Sequence, residues 1–269
     1  MLKTSIADKT PYVYAAYEAA LSDEAFATFK QNPHYQQVLE HMTKEDGQKI
    51  LDYLQSIQSI RVDDYIEYMT KQLHINDKFG SPNLVSYNKN YKINSISPST
   101  IRYIKVVFDL LAMNILDLDS QLYKIVEIGG GYGGQATVLF DMDWRIPLEF
   151  TMIDLKEALA LQRKYLGNTI PNAKVDYISP TETEFLRESK FDLVISNYAF
   201  SECNREIQTQ YIQDVIKNCK HGYITWNFIS KQHGIDSLSI EEFKAMLPFS
   251  INEMDEMPAT GFNNKILWW

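Results

Sequence analysis

A run of alternating glycines is the stretch of this sequence whose spacing could do chemistry. Glu127, Gly129, Gly131 and Gly133 occupy alternate positions directly after a short apolar segment. Glycine lets a strand turn sharply into a helix while its backbone comes close to a ligand, and the first turn of that helix offers free amide donors. The spacing fits two fingerprints at once. Gly129-x-Gly131-x-x-Gly134 is typical of dinucleotide sites, and the run that starts at Glu127 is typical of S-adenosylmethionine sites.

The acidic residue before the glycines favours the second interpretation. Glu127 lies two positions ahead of Gly129, where its carboxylate can bind the positive amino group of a methionine moiety but would repel a pyrophosphate. A long helical segment also precedes the motif, whereas dinucleotide enzymes often begin with it. We therefore predict that S-adenosylmethionine is the cofactor, with S-adenosylhomocysteine as its product, and that Gly129, Gly131, Tyr132 and Gly133 surround it. A glycine turn that holds no ligand is the alternative.

A second acidic residue lies where a nucleoside would be held. Asp154 ends the second predicted strand, 23 positions after Gly131, and an acid at that place accepts hydrogen bonds from both ribose hydroxyls. Leu155 would then pack on the adenine. Both cofactor classes contain a ribose, so Asp154 does not choose between them. The alternative is that Asp154 only caps the helix that is predicted to begin at Lys156.

The elements that precede these residues are predicted to be helical. Residues 1–120 form this first part, which we expect to act as a lid, as a homodimer surface or as part of the substrate site. The Ser97-Pro98 pair indicates a helix start. The polar loop that begins at Gly80 carries Tyr87 and Tyr91 and is expected to cover the site. Helical spacing of apolar residues predicts helices over 12–29, 43–54, 62–73 and 98–116.

Residues 121–269 are predicted to alternate strands with helices, which indicates a parallel, doubly wound sheet and an α/β fold. The last two strands are joined by a connection too short for a helix, so they should pair antiparallel. A seven-stranded, mostly parallel sheet that ends in such a hairpin is typical of the Rossmann-like class I methyltransferase fold. The predicted strands span residues 124–128, 149–154, 174–178, 191–196, 222–228, 251–257 and 264–269, and the helices span 134–140, 156–165, 207–217 and 239–247.

The segment around the end of the fourth predicted strand resembles a known family. Residues 191–202, with the sequence FDLVISNYAFSE, are similar to the corresponding stretch of the sugar O-methyltransferases, bacterial proteins linked to polysaccharide and glycan biosynthesis. The resemblance implies an S-adenosylmethionine-dependent methyl transfer to a sugar hydroxyl. It covers roughly residues 95 to 230, and the further matching stretches are residues 97–103, 126–135, 208–211 and 222–227.

Polar residues after the strands are expected to hold the acceptor, because ligands of open parallel sheets lie beyond the carboxyl ends of the strands. Asn197, Tyr198, Ser201 and Glu202 follow the fourth strand. We expect Asn197 to face the cofactor and Tyr198 and Ser201 to face the substrate. The alternatives are that Ser201 or Asn204 only caps the helix around Ile207 and that Glu202 lies on a solvated face. Three further residues are predicted to bind the substrate: Arg102, Asn227 and Asn263. Arg102 could hold a carboxylate of the cofactor or a phosphate of an activated sugar, and a surface ion pair is the alternative role.

Transfer to a hydroxyl needs a proton acceptor, because a sugar hydroxyl is a weak nucleophile near neutral pH. Glu202 is the first candidate, and burial would raise its pKa and make it a better base. His233, which follows the fifth strand, is the second candidate. A metal would need several carboxylates that converge at this edge. Only Glu202 is clearly placed there, so we expect no metal.

Composition narrows the class of partner. The chain of 269 residues carries a net charge of −9, which disfavours nucleic acid as a partner. Cys203 and Cys219 lack the spacing of a metal site and the density of a secreted scaffold, so we expect reduced thiols in a cytoplasmic protein. No apolar run is long enough for a membrane span. The expected partner is a small-molecule or glycan substrate. The competing functions are methylation of another small molecule, a nicotinamide-dependent oxidoreductase and a non-catalytic cofactor-binding scaffold.

Overall fold

Short helices form the first part of the computed structural model of this chain, which describes residues 4–57, 64, 66–67, 73–87, 89, 91–116, 123–142 and 147–269. The single helix expected over residues 12–29 is wrong. Ser22 is extended, and its hydroxyl accepts a hydrogen bond from the amide of Ala25, so a second helix begins there. The helix expected over 62–73 lies mostly outside the described residues. The observed helices are α1 (Pro11–Leu21), α2 (Asp23–Thr28), α3 (Pro33–Gln36) and α4 (Lys44–Ser56).

A small antiparallel hairpin lies in the segment that is expected to cover the site. Its strands are β1 (Val85–Tyr87) and β2 (Ile93–Ile96). Tyr87 and Tyr91 are 2% and 5% exposed, and the hydroxyl of Tyr91 donates a hydrogen bond to Asp52 of α4. Both rings therefore pack within the helical region, and the covering of the site by this segment stays a prediction.

A long helix leads towards the sheet. α5 (Pro98–Ala112) begins as predicted, because the hydroxyl of Ser97 accepts a hydrogen bond from the amide of Thr100. It ends before the predicted position at residue 116. Asn114 has a φ of 54°, in the left-handed region, and this conformation ends the helix.

Seven strands form one sheet, and this confirms the predicted fold class. Their spatial order is β5-β4-β3-β6-β7-β9-β8. Neighbouring strands are parallel from β5 through β7, and β9 runs antiparallel to both β7 and β8. This is the Rossmann-like arrangement with an inserted antiparallel strand. The strands are β3 (Tyr123–Ile128), β4 (Leu148–Ile153), β5 (Lys174–Ile178), β6 (Phe191–Asn197), β7 (Cys219–Trp226), β8 (Asn252–Asp255) and β9 (Lys265–Trp268).

Helices cover both faces of the sheet. Successive side chains of a strand point to opposite faces, so each face buries its own set of apolar residues. Ile125 and Leu193 belong to one buried cluster, together with side chains from α1 and α5. Val126 and Val194 belong to a second buried cluster on the other face. The helices that follow the strands are α6 (Gly134–Asp141), α7 (Lys156–Thr169), α8 (Arg205–Asp214) and α9 (Ile240–Ala245).

The helical part and the sheet share a buried polar junction. Asp109 of α5 accepts hydrogen bonds from Tyr53 of α4 (2.9 Å) and from Tyr223 of β7 (2.6 Å), and the ammonium of Lys105 lies 2.6 Å from it. The boundary predicted near residue 120 falls between 117 and 122, outside the described residues. Among the described helices, none has the length and apolar character that a membrane span needs.

Candidate active site

The glycine run forms the turn between β3 and α6. Gly129, Gly131 and Gly133 have φ values of 76°, 62° and 96°, a region in which residues with a Cβ are strained. Gly133 also occupies the N-cap position of α6. A Cβ on Gly131 would lie 2.7 Å from Cδ1 of Leu39, so the segment after α3 closes directly over the turn. The sequence motif thus folds into the expected sharp turn from strand to helix.

Glu127 lies at this turn with an unsatisfied carboxylate. Its side chain is 2% exposed, and Oε2 has no hydrogen-bond partner among the described residues. Burial raises the pKa of Glu127 to about 8, and the neighbouring charge of Asp154 adds to the shift. A buried acid with a free oxygen is costly unless a donor, and preferably a cation, completes it.

Asp154 follows β4 and faces the same turn. It accepts hydrogen bonds from the amides of Gly131 (3.1 Å) and Leu155 (2.8 Å) and from the side-chain amide of Gln162 (2.9 Å). Burial raises its pKa to about 6, while these hydrogen bonds oppose the shift. The N-cap position of α7 is Leu155 and not Asp154. The capping alternative is therefore not what the structure shows.

Further buried polar atoms surround the turn without a hydrogen-bond partner among the described residues. Gln162 binds the carbonyl of Gly131 through Nε2 (2.9 Å) and leaves Oε1 free. The Tyr35 ring lies 6.4 Å from that of Tyr132, and Glu40 directly follows Leu39. Buried polar groups are normally satisfied, so this clustering marks the turn as a place for a polar ligand. Seven buried side-chain atoms of the described residues lack a partner: five at or near the turn, Oη of Tyr35, Oε1 of Glu40, Nε of Arg102, Oε2 of Glu127 and Oε1 of Gln162, and two elsewhere, Oη of Tyr87 and Nε1 of Trp269.

Tyr132 lies within the turn but packs into the junction with the helical region. Its side chain is fully buried, and its hydroxyl accepts a hydrogen bond from Asn76 (3.0 Å). The ring packs edge-to-face against those of Phe29 and Tyr165. The structure therefore gives Tyr132 a positioning role for the turn.

The predicted acceptor residues converge beyond β6 and β7. The hydroxyl of Ser201 lies 2.7 Å from the carbonyl of Tyr198 and 3.1 Å from the amide of Asn227. Asn227 donates a hydrogen bond to Glu202 at 2.5 Å. Burial raises the pKa of Glu202, and the bond from Asn227 opposes this shift. Glu202 is thus the kind of carboxyl that was sought as a base, since it is largely buried and partnered.

The structure distinguishes the remaining candidates for the helix cap and for the base by their contacts and exposure. Asn204 caps α8 by accepting a hydrogen bond from the amide of Ile207 (2.9 Å), so Ser201 is not the cap. His233 ends a 3-10 turn, Ser230–His233, and its side chain is exposed. Asn197 lies 3.4 Å from Gln135 of α6 and 3.4 Å from Thr225 of β7, which places it between the turn and the acceptor edge.

Tyr198 is held by residues that the sequence did not single out. It has a φ of 69°, and its hydroxyl donates a hydrogen bond to Glu256 and lies 2.8 Å from the hydroxyl of Thr260. Glu256 is 4% exposed and also accepts from Asn264 (3.0 Å). Glu256, Thr260 and Asn264 all lie in the connection between β8 and β9, so the final hairpin contacts Tyr198.

Asn263, which was predicted to bind the substrate, is exposed with a φ of 59°. Its neighbour Asn264 is the buried residue of the pair and contacts Glu256. The role of Asn263 in substrate binding stays a prediction. The left-handed backbone at Asn263 belongs to the turn that precedes β9, and this turn leaves Asn263 exposed and Asn264 buried.

The N-terminal segment crosses the acceptor edge. The amide of Ile6 donates to the carbonyl of Glu202 (3.1 Å), and the amide of Asn204 donates to that of Thr4 (2.9 Å). Tyr12 is 5% exposed, and burial followed by the charge of Asp154 raises its pKa. The N-terminal segment thus contacts the backbone on both sides of Cys203. Within the described ranges, no group of three or more His, Cys, Asp or Glu side chains is arranged to hold a metal ion.

Several solved structures are similar to part of this chain. No family model matches the sequence, and no curated protein matches it. An rRNA methylase from Streptococcus thermophilus is 13% identical over 62% of this chain and 95% of its own, with a TM-score of 0.45. Magnesium protoporphyrin IX methyltransferase from Synechocystis PCC 6803, solved with bound SAH, is 14% identical. The match covers 63% of this chain and 81% of that one, with a TM-score of 0.47. An O-methyltransferase family protein from Burkholderia thailandensis is 11% identical, and the match covers 64% of this chain and 59% of that one, with a TM-score of 0.44. At these identities the similarity concerns the architecture alone: this chain resembles methyltransferases in fold.

Proposed function

We propose that this protein is an S-adenosylmethionine-dependent methyltransferase that acts on a hydroxyl group, with a sugar as the acceptor. The observation that carries the proposal is the buried carboxyl of Glu127 beside Asp154 at the glycine turn, whose Oε2 has no hydrogen-bond partner among the described residues. Two buried acids favour a cationic ligand. S-adenosylmethionine brings an ammonium and a sulfonium, whereas the pyrophosphate of NAD would add negative charge to this pair.

The residues at the turn fit the parts of that cofactor. Glu127 supplies an acceptor for the ammonium. Asp154 supplies oxygens for the ribose, although Gly131, Leu155 and Gln162 already donate to it. Leu155 is partly buried beside the turn and would contact the adenine. Gly129, Gly133 and Asn197 line the space between, and Tyr132 fixes the turn from behind.

The cofactor supplies an electrophilic methyl group, and the protein must orient the acceptor and remove its proton. Glu202 takes that proton in our proposal. Asn227 holds its carboxyl through Oε1, and the raised pKa brings the group nearer to neutral pH, where a general base is most effective. Tyr198 and Ser201 then line the place of the acceptor.

The sugar acceptor is supported by two observations. The edge beyond β6 and β7 carries hydroxyl, amide and carboxyl groups on Tyr198, Ser201, Asn227 and Glu202, a set that suits a polyhydroxylated molecule. The sequence resemblance to sugar O-methyltransferases runs through the same segment. The acidic composition agrees with a small-molecule or glycan acceptor.

Calorimetry with S-adenosylhomocysteine and with NAD tests the cofactor. We expect S-adenosylhomocysteine to bind and NAD not to bind, and we expect Glu127→Gln to weaken the former. Tight binding of NAD alone would contradict the proposal and favour an oxidoreductase. A panel of nucleotide-linked sugars with radiolabelled S-adenosylmethionine then tests the acceptor. Transfer to phenols or carboxylic acids but to no sugar would reject the sugar while keeping the methyltransferase.

A further inference from the structure

We propose that the helical region builds a clamp for the amino-acid end of the cofactor: Arg102 binds its carboxylate, and Glu40, together with Glu127, binds its ammonium. The inference rests on the proposed function and adds two residues from outside the glycine turn. An α-amino acid carries one charge of each sign at neutral pH, so a site for it needs an anionic and a cationic group close together.

Arg102 has the features of the cationic half. It is 9% exposed, and its Nε is buried without a hydrogen-bond partner among the described residues. Its guanidinium carbon lies 5.3 Å from the centre of the Tyr103 ring and 5.9 Å from that of Tyr198. The Tyr103 ring packs on Gly134, at the start of α6, and Tyr198 follows β6. The guanidinium therefore lies between the glycine turn and the acceptor edge.

Glu40 has the features of the anionic half. Its Oε1 is buried and lacks a hydrogen-bond partner in the described part of the chain. Burial raises its pKa, and the charge of Lys30 and a hydrogen bond from Ser99 oppose the shift. Lys30 itself donates to the carbonyl of Asn76 at 2.6 Å. One oxygen of Glu40 thus remains available beside Leu39, the residue that covers Gly131.

The three charged groups share one neighbour. Burial raises the pKa of the Tyr103 phenol, Arg102 opposes that shift, and Glu40 and Glu127 add to it. Arg102, Glu40 and Glu127 therefore all lie within electrostatic range of Tyr103, whose ring contacts Gly134 at the start of α6. A pyrophosphate would meet two acids there, whereas a methionine moiety offers an ammonium to the acids and a carboxylate to the arginine.

Titration calorimetry with two ligands tests the clamp. S-adenosylhomocysteine carries the amino-acid end, and 5′-methylthioadenosine lacks it but keeps the adenosine and the sulfur. We expect Arg102→Gln and Glu40→Gln each to weaken S-adenosylhomocysteine by about 10- to 100-fold, the range of a lost charged hydrogen bond. Binding of 5′-methylthioadenosine should stay within about twofold, which is close to the uncertainty of such comparisons.

A control variant and a conservative variant accompany these measurements. Arg163→Gln removes a guanidinium that stacks on Tyr177, 4.1 Å from the ring centre, and should change neither affinity. If Arg102→Gln fails to fold, Arg102→Lys keeps the charge but loses the planar fork, and it should weaken S-adenosylhomocysteine selectively. Equal losses for both ligands, or no loss for either, would overturn the clamp. A wild-type protein that binds 5′-methylthioadenosine but not S-adenosylhomocysteine would also overturn it, and one that binds neither would remove the proposed function itself.

Discussion

The ammonium of Lys30 lies 4.3 Å from the centre of the Tyr132 ring, deep between the helical region and the glycine turn. It also donates a hydrogen bond to the carbonyl of Asn76 (2.6 Å), and its side chain is 1% exposed. Burial lowers the pKa of Lys30. The turn that would hold the cofactor is thus braced from behind by a cation that the helical region provides.

Lys30→Ala should lower the free energy of unfolding by about 2 kcal/mol or more, because it removes a desolvated cation–π contact and leaves a cavity. Lys30→Met keeps most of the volume. It should cost much less, because apolar groups often replace buried charges at little cost. The carbonyl of Asn76 would still accept a hydrogen bond from the hydroxyl of Tyr165 (2.6 Å). Urea unfolding compares the two variants. Equal losses would show that the charge itself is required.

The stability of the protein without ligand should fall as the pH rises from about 5 to about 8. The folded pKa of Glu127 is raised to about 8, so in this window the folded state binds more protons than the unfolded chain. Stability is then lost with increasing pH, at up to about 1.4 kcal/mol per pH unit. The free energy of unfolding, measured at several pH values, should depend less steeply on pH for Glu127→Gln than for the wild type. The same pH dependence in both proteins would contradict the raised pKa of Glu127.

Glu202→Gln should lower kcat by about 100- to 10,000-fold, the usual contribution of a general base. In the wild type the rate should rise with pH through the raised pKa of Glu202, because only the deprotonated carboxyl accepts a proton. His233→Gln serves as the control and should remain nearly as active as the wild type, since His233 is exposed. A large loss in His233→Gln, with Glu202→Gln active, would transfer the role to the histidine.

Tyr198→Phe should lower kcat/KM for the acceptor by roughly 10- to 100-fold, because the hydroxyl that links it to Glu256 and Thr260 is lost. The affinity for S-adenosylhomocysteine should hardly change, since the ring beside Arg102 remains. Tyr177→Phe, on β5 and stacked by Arg163, is the matched control. Weaker cofactor binding in Tyr198→Phe would contradict a role in acceptor binding.

Gly131→Ala should destabilise the protein and weaken S-adenosylhomocysteine binding more than Gly234→Ala. Both glycines have positive φ, 62° and 70°, so both variants carry a strain of roughly 1–2 kcal/mol. Only at position 131 does the new Cβ meet a neighbour, Cδ1 of Leu39 at 2.7 Å, whereas nothing lies within 4 Å at 234. Thermal unfolding and calorimetry compare the pair. Similar losses in both would mean that Leu39 yields easily.

The fold and the glycine turn could be predicted because their determinants are local. The glycines require left-handed backbone at their own positions, and Glu127 and Asp154 lie within one or two residues of a strand end. Apolar runs of strand length between helical patterns then specify the sheet. The helix break at Ser22 was not predicted, although serine is a good N-cap. The segments on both sides of it contain good helix formers, so the helical spacing looked continuous.

The remaining part of the site depends on contacts between distant segments. Tyr35 and Glu40 reach the turn only because α3 packs over it, and nothing in their own neighbourhood indicates this. Glu256 binds Tyr198 across 58 positions of sequence. The choice between Asn263 and Asn264 depends on the turn before β9, where Asn263 has a φ of 59° and Asn264 contacts Glu256.

The position of β9 has a consequence for synthesis of the protein. β9 follows β8 in the chain yet lies between β7 and β8 in the sheet, so β8 has no sheet partner until β9 has left the ribosome. During translation β7 therefore presents an open edge with Tyr223 and Ile224, which β9 later covers. Glu256, in the connection between β8 and β9, can hold Tyr198 only after this last step. The acceptor half of the site should therefore mature after the glycine turn, and nascent chains arrested before β9 should be the species that chaperones protect.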